Sequence, residues 1–104
     1  MDSSSQTISV VIPAFNEAGN IRPLVEAVGK MFRESGLKGE MLLVNDGSTD
    51  DTLAIANELA ATHDFLRVLS YKPNRGLTYA LETGFKAAKG DILVFYPADL
   101  QYSP

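Results

Sequence analysis

Four apolar runs of strand length recur along the chain with a helical pattern between each pair, and that alternation leaves few folds open. The runs are Ile8-Ser9-Val10-Val11-Ile12, Met41-Leu42-Leu43-Val44, Leu66-Arg67-Val68-Leu69 and Ile92-Leu93-Val94-Phe95. Most are continuous rather than alternating, which suits strands covered on both faces, as in a parallel sheet. Between the first two, Ile21, Leu24, Val25, Val28 and Phe32 form one helical stripe, with Asn20 as the expected N-cap, Pro23 in the first turn and Gly36 as the stop. A second helix is expected from about Thr49 to Thr62. There Ser48 and Asp51 are spaced as a capping box, and Leu53, Ala56, Leu59 and Ala60 form the buried stripe. The third carries Leu77, Ala80, Leu81, Gly84, Phe85 and Ala88 and ends in Lys89-Gly90, with Lys89 complementing the helix dipole.

Right-handed crossovers then bring each strand back parallel to its neighbour. The pattern predicts an α/β fold: a three-layer α/β/α, Rossmann-like parallel sheet with strand order 3-2-1-4. Residues 1–7 read as a flexible leader and residues 8–104 as one domain. In such sheets ligands bind beyond the carboxyl ends of the strands, near the point where the strand order reverses.

Composition removes several function classes. The net charge is -4, with 9 basic against 13 acidic residues, and no Lys/Arg cluster offers a nucleic-acid surface. Without cysteine there are no disulfides or thiolate metal sites. No apolar stretch approaches the roughly 20 residues of a membrane helix, and the polar start lacks the parts of a signal peptide, so a cytoplasmic location is expected. No G-x-G-x-x-G, P-loop or nucleophile elbow is present.

The distinctive segments sit at the strand ends. They are Pro13-Ala14-Phe15-Asn16-Glu17, Asn45-Asp46-Gly47-Ser48-Thr49-Asp50, Lys72-Pro73-Asn74-Arg75-Gly76 and Pro97-Ala98-Asp99-Leu100-Gln101. Glu17 and Asp46 are expected to converge near the reversal point, where a carboxylate accepts hydrogen bonds from a ribose hydroxyl or a base N–H. The Gly47-Ser48 turn offers backbone N–H groups at a helix start, suited to polar or anionic groups. Asp99 and Gln101 supply oxygen, the ligand type that Mg²⁺ or Mn²⁺ prefers, and an ion there can bridge a diphosphate. Simpler roles exist for most of these residues. Glu17 can favour a helix start through its charge, and Asn74-Arg75-Gly76 can be a loop with a positive φ. His63 is expected as a surface residue at the end of the second helix, and Phe85 and Phe95 as core residues. What favours a site is that all four segments fall at one edge of one sheet.

At these residues the chain resembles family 2 glycosyltransferases of the GT-A fold. The carriers are Ile8 to Glu17 (ISVVIPAFNE), Val44 to Thr52 (VNDGSTDDT) and Asn74 to Gln101, whose N-R-G-L and A-D-L-Q details are closest to dolichol- and polyprenol-phosphate sugar synthases. The resemblance implies the N-terminal half of a GT-A domain that binds a GDP- or UDP-sugar. In it Pro13, Phe15 and Glu17 would line the base, Val44 and Asp46 would complete the base and ribose pocket, and Gly47, Ala98 and Asp99 would also touch the nucleotide. Asp99 with Gln101 would hold Mg²⁺ or Mn²⁺. The acceptor it implies is a lipid phosphate, and full-length relatives would act at the cytoplasmic membrane face. The family usually has Asp where this chain has Pro97, so metal-dependent binding is expected to be weaker. Pro97 and the missing acceptor half point to a domain inactive by itself, and they also suit a non-catalytic nucleotide-binding or regulatory module. The last apolar run, Ile92 to Tyr96, is expected to form an exposed edge where copies of the chain can associate.

Overall fold

The structure, a computed structural model, describes residues 6–96 and Ala98. The chain runs β1 (Thr7–Ala14), α1 (Ala18–Ser35), β2 (Lys38–Asp46), α2 (Thr52–Ala60), β3 (Leu66–Tyr71), α3 (Leu77–Ala87) and β4 (Ile92–Phe95). The strands form one sheet in the order β3-β2-β1-β4, and every pair is parallel, as the alternation of runs and stripes requires. Val10 of β1 aligns with Met41 of β2 and Val94 of β4.

The two faces of the sheet bury different residues of the same runs, because successive side chains point opposite ways. Val10, Ile12 and Ala14 of β1, with Met41 and Leu43 of β2, pack under Ile21, Leu24, Val25 and Val28 of α1 and Ala56 and Leu59 of α2. On the other face Val11, Leu42 and Val44 meet Ala80 of α3. Central strands covered on both sides need apolar residues at every position, which is why their runs are continuous.

The element ends differ from expectation wherever tertiary hydrogen bonds decide them. Glu17, not Asn20, occupies the N-cap of α1; the Asn20 side chain instead donates to Glu17 Oε1 at 2.8 Å. The capping box of α2 does not form. Ser48 is engaged with Asn16 instead, and the helix starts only at Thr52. Helix α3 stops at Ala87, and the Lys89 N–H turns to Glu40 Oε2 at 2.7 Å. Phe85 and Phe95 are 37% and 44% exposed rather than in the core. His63 meets the last turn of α2, with Nδ1 2.9 Å from the Leu59 carbonyl oxygen.

At the amino ends of the strands a polar group ties the sheet together. Glu40 accepts from Ser9 Oγ at 2.7 Å, from the Lys89 N–H and from Arg67 Nη1 at 2.7 Å, while Ser9 Oγ accepts the Gly90 N–H at 2.8 Å. Burial alone would raise the Glu40 carboxyl, but these donors and the Arg67 charge outweigh it and hold the group below its ordinary range.

Candidate functional site

The carboxyl ends of β1 and β2 continue into two loops that interlock. Asn16 takes a left-handed backbone, φ 54°, and its Oδ1 accepts the Thr49 N–H at 2.8 Å and the Asp50 N–H at 3.3 Å. In return the Asn16 N–H donates to Ser48 Oγ, and the Glu17 N–H donates to the buried Thr52 Oγ1, each at 2.9 Å. Asp50 reaches both helix starts, accepting the Thr52 N–H at 2.9 Å and the Ala18 N–H at 3.3 Å. Burial raises its carboxyl, but the Thr52 hydroxyl and these N–H groups bring it below the usual carboxylate range.

The interlock uses most of the N–H groups of the turn before α2: those of Ser48, Thr49, Asp50 and Thr52 are taken by Asn45, Asn16 and Asp50. Gly47 has a steric role. At φ 68° it lies against the chain at Pro73–Asn74, and a Cβ would collide with that backbone.

Asp46 organises the loop after β3. Its Oδ1 accepts the Tyr71 hydroxyl at 2.6 Å and the Arg75 N–H at 2.9 Å; its Oδ2 accepts Asn74 Nδ2 at 2.7 Å and the Gly76 N–H at 3.0 Å. Four donors fill the usual acceptor sites of a carboxylate, so Asp46 binds its own chain first. Burial, then the bond to Asp46, pushes the Tyr71 hydroxyl above its ordinary range and keeps it a donor. Arg75 lies over the Tyr79 ring, 5.1 Å from its centroid.

Around these loops lies a cleft of about 380 Å³ lined by Pro13, Phe15, Glu17, Asp46, Gly76 and Ala98, among others. It opens at the carboxyl ends of β1, β2 and β4, at the point where the strand order reverses. Five residues singled out in the sequence therefore share one wall-to-wall space: Pro13, Phe15, Glu17, Asp46 and Ala98. Gly47 lines an adjoining cleft of about 790 Å³ with Lys72 and Asp50; Phe15 and Asn74 border both. Val44 is not at either surface. It is fully buried beneath α3, because its position in β2 points to that face. Asp99, Gln101 and Pro97 lie outside the described residues. The sequence reading missed Asn16, Asn74 and Tyr71 as residues that shape the cleft.

Among the described residues no three acidic, histidine or cysteine side chains converge to hold a metal ion. The hard oxygen donors the sequence offers are Asp99 and Gln101, and Ala98, the residue before Asp99, is on the cleft wall. Their donor chemistry fits Mg²⁺ or Mn²⁺.

Residues 9–104 match the model of Glycosyl transferase family 2. The chain belongs to that family. Among curated relatives, this family 2 chain is 36% identical over 101 residues to a dodecaprenyl-phosphate galacturonate synthase of Rhizobium johnstonii, covering 96% of this chain and 30% of that protein. It is 36% identical over 97 residues to a dolichol-phosphate mannosyltransferase of Pyrococcus furiosus, covering 93% of this chain and 27% of the relative. Among solved structures, a mannosyltransferase from Pyrobaculum calidifontis in complex with GDP-Man and Mn²⁺ superposes with a TM-score of 0.74 at 30% identity, over 93% of this chain and 28% of that one. A glucosyl-3-phosphoglycerate synthase from Mycobacterium tuberculosis, in complex with Mn²⁺, UDP and glucosyl-3-phosphoglycerate, does so with 0.74 at 32%, over 91% and 34%. The fold is that of GT-A glycosyltransferases, and the family 2 chain spans 27% to 30% of the length of the two curated relatives.

Proposed function

We propose that these residues are the donor-binding part of a glycosyltransferase that moves a sugar from a GDP- or UDP-sugar to an acceptor such as a polyprenyl phosphate. The observation that carries the reading is the convergence of Pro13, Phe15, Glu17, Asp46 and Ala98 on one cleft at the reversal point of the sheet. Phe15, 44% exposed, offers an aromatic face on which a base can stack. Glu17 accepts from a base N–H or a ribose hydroxyl. Asp46 acts by fixing the Asn74–Gly76 wall rather than through free lone pairs. Asp99 and Gln101 would hold Mg²⁺ or Mn²⁺, which when bound neutralises the diphosphate as it leaves. An acceptor phosphate oxygen is already a nucleophile, so its bond to the anomeric carbon forms, and the bond to the diphosphate breaks, without a general base.

Residues 8–104 are proposed to act as one donor-binding unit after a short leader at residues 1–7, and to bind donor without completing transfer. The reading goes with a cytoplasmic location, and among the described residues no helix is long and apolar enough to cross a membrane. Among the described residues β4 is an edge strand, which makes a second copy of the chain a further partner. Pro97 favours one other reading, a non-catalytic nucleotide-binding module.

The test is a two-dimensional amide NMR titration with UDP and GDP, with and without Mg²⁺, and with Mn²⁺ separately as a paramagnetic probe. Shifts should cluster at Phe15, Glu17, Asp46 and Gly76, with Mn²⁺ broadening around Ala98, Asp99 and Gln101. A well-dispersed spectrum indifferent to both nucleotides would sink the donor-binding reading. Binding without sugar transfer, even with Pro97→Asp in a longer chain that carries an acceptor site, would favour the non-catalytic module.

A further inference from the structure

We infer that Asn16 is a positioning residue for this cleft: its side-chain carbonyl clamps the loop after β2 and so fixes where Phe15 and Glu17 stand. The inference rests on the donor-binding reading above and extends it to a residue that does not line the cleft.

The argument starts from Phe15. An aromatic side chain that is 44% exposed has little packing of its own to hold it. Its position comes from the backbone on its carboxyl side. There Asn16 adopts φ 54°, a conformation that non-glycine residues seldom take and that asparagine tolerates better than most. The strain is offset by the bonds it permits. Oδ1 gathers the Thr49 and Asp50 N–H groups and lies 3.4 Å from Thr49 Oγ1, while the Asn16 and Glu17 N–H groups reach Ser48 and Thr52. Two loops from different strands are joined chiefly through Asn16, which stands between the aromatic and the acid that face the cleft, while the Glu17 and Ala18 N–H groups add bonds to Thr52 and Asp50. Holding both groups in place before the ligand arrives lowers the ordering cost of binding.

The clamp uses the carbonyl oxygen, which separates it from the backbone requirement. Glycine supplies the positive φ without the clamp, aspartate supplies both, and alanine supplies neither. Dissociation constants for UDP and GDP, and amide hydrogen exchange at Glu17, Thr49 and Asp50, should be measured in Asn16→Gly, Asn16→Ala and Asn16→Asp. We expect Asn16→Gly and Asn16→Ala to weaken binding about tenfold and to speed exchange at Glu17 and Thr49, with β1 and β2 amides protected as before. Asn16→Asp should restore both readouts. If Asn16→Gly binds like the parent, or Asn16→Asp is no better than Asn16→Gly, the inference is overturned. Should the parent chain bind neither nucleotide, the donor-binding reading fails by itself. The clamp is then decided by exchange, since unchanged protection of Glu17 and Thr49 in Asn16→Gly overturns it. Should Asn16→Ala fail to fold, Asn16→Gly carries the comparison, because it keeps the left-handed backbone without strain.

Discussion

Glu40 sits at the amino ends of the strands, away from the cleft, and the fold uses its ionised form. Three donors from β1, β3 and the segment after α3 converge on its carboxylate, and they hold it ionised below its ordinary value of 4.5. A carboxyl with a lowered folded pKa contributes stability that is present above the unfolded value and is lost as pH falls through the folded one. Glu40→Gln should therefore be less stable than the parent by about 1–2 kcal/mol near neutral pH, since an amide nitrogen would face donors and Arg67 would lose its charge partner. The difference should shrink as pH drops below about 4.5, where the unfolded parent takes up a proton that the folded form resists. Urea unfolding of both proteins across that range measures it; a gap independent of pH would refute the account. Neither this group nor the Asn16 clamp could be read in the sequence. Their partners lie 27 to 49 residues away for Glu40 and 32 to 34 for Asn16, and no local spacing signals such pairs. The place of Asp46 on the cleft wall was legible because it ends an apolar run. Its use was not, because its four donors come from a loop whose own sequence says only that it turns.

The elements themselves were legible because each one's burial follows from its own periodicity. The strand runs and helical stripes give seven elements in the right order, and Gly84 shows how far the reading reaches. It stands in the third stripe, and its lack of a side chain lets α3 approach the sheet closely. A Cβ at Gly84 would run into Val11 Cγ1 and stand 3.2 Å from Val44 Cγ2. Both valines are fully buried and β-branched, so neither can swing aside. Gly84→Ala gains up to about 1 kcal/mol of helix propensity. Against this, overpacking costs about 1–3 kcal/mol, and here it should win because α3 must lift from β1 and β2 together. A lower Tm for Gly84→Ala by thermal unfolding is expected; a raised Tm would show that α3 moves freely. The ends of elements were less legible. The starts of α1 and α2 depend on Asp50, which caps both from outside either helix.

Taken as one object, the molecule buries both faces of its central strands, and among the described residues its sheet ends in two edge strands, β3 and β4, of which β4 is the more exposed. Strand β4 pairs with β1 and, among the described residues, has no strand on its other side, and all of Ile92, Leu93, Val94, Phe95 and Tyr96 are between 38% and 49% exposed. An apolar edge strand with unpaired N–H and C=O groups is a template for another strand. Two occupants suit it. In a longer family 2 protein the edge can be covered by the same polypeptide; in a preparation of these 104 residues only a second copy is available. Sedimentation velocity over a range of concentrations should then show reversible association. Replacing Leu93 and Phe95 with lysine should weaken it by roughly tenfold or more, because charges placed on an edge oppose strand pairing at little cost to a fold in which both residues are already half in water. A monomer at every concentration would mean that the edge is protected without a partner, and the double lysine variant would then leave the sedimentation unchanged. Association that survives the two lysines would move the contact elsewhere. Of the other large exposed apolar side chains, Phe15 and Leu77 line the cleft, so nucleotide would compete with self-association through them, whereas pairing through β4 leaves Phe15 free.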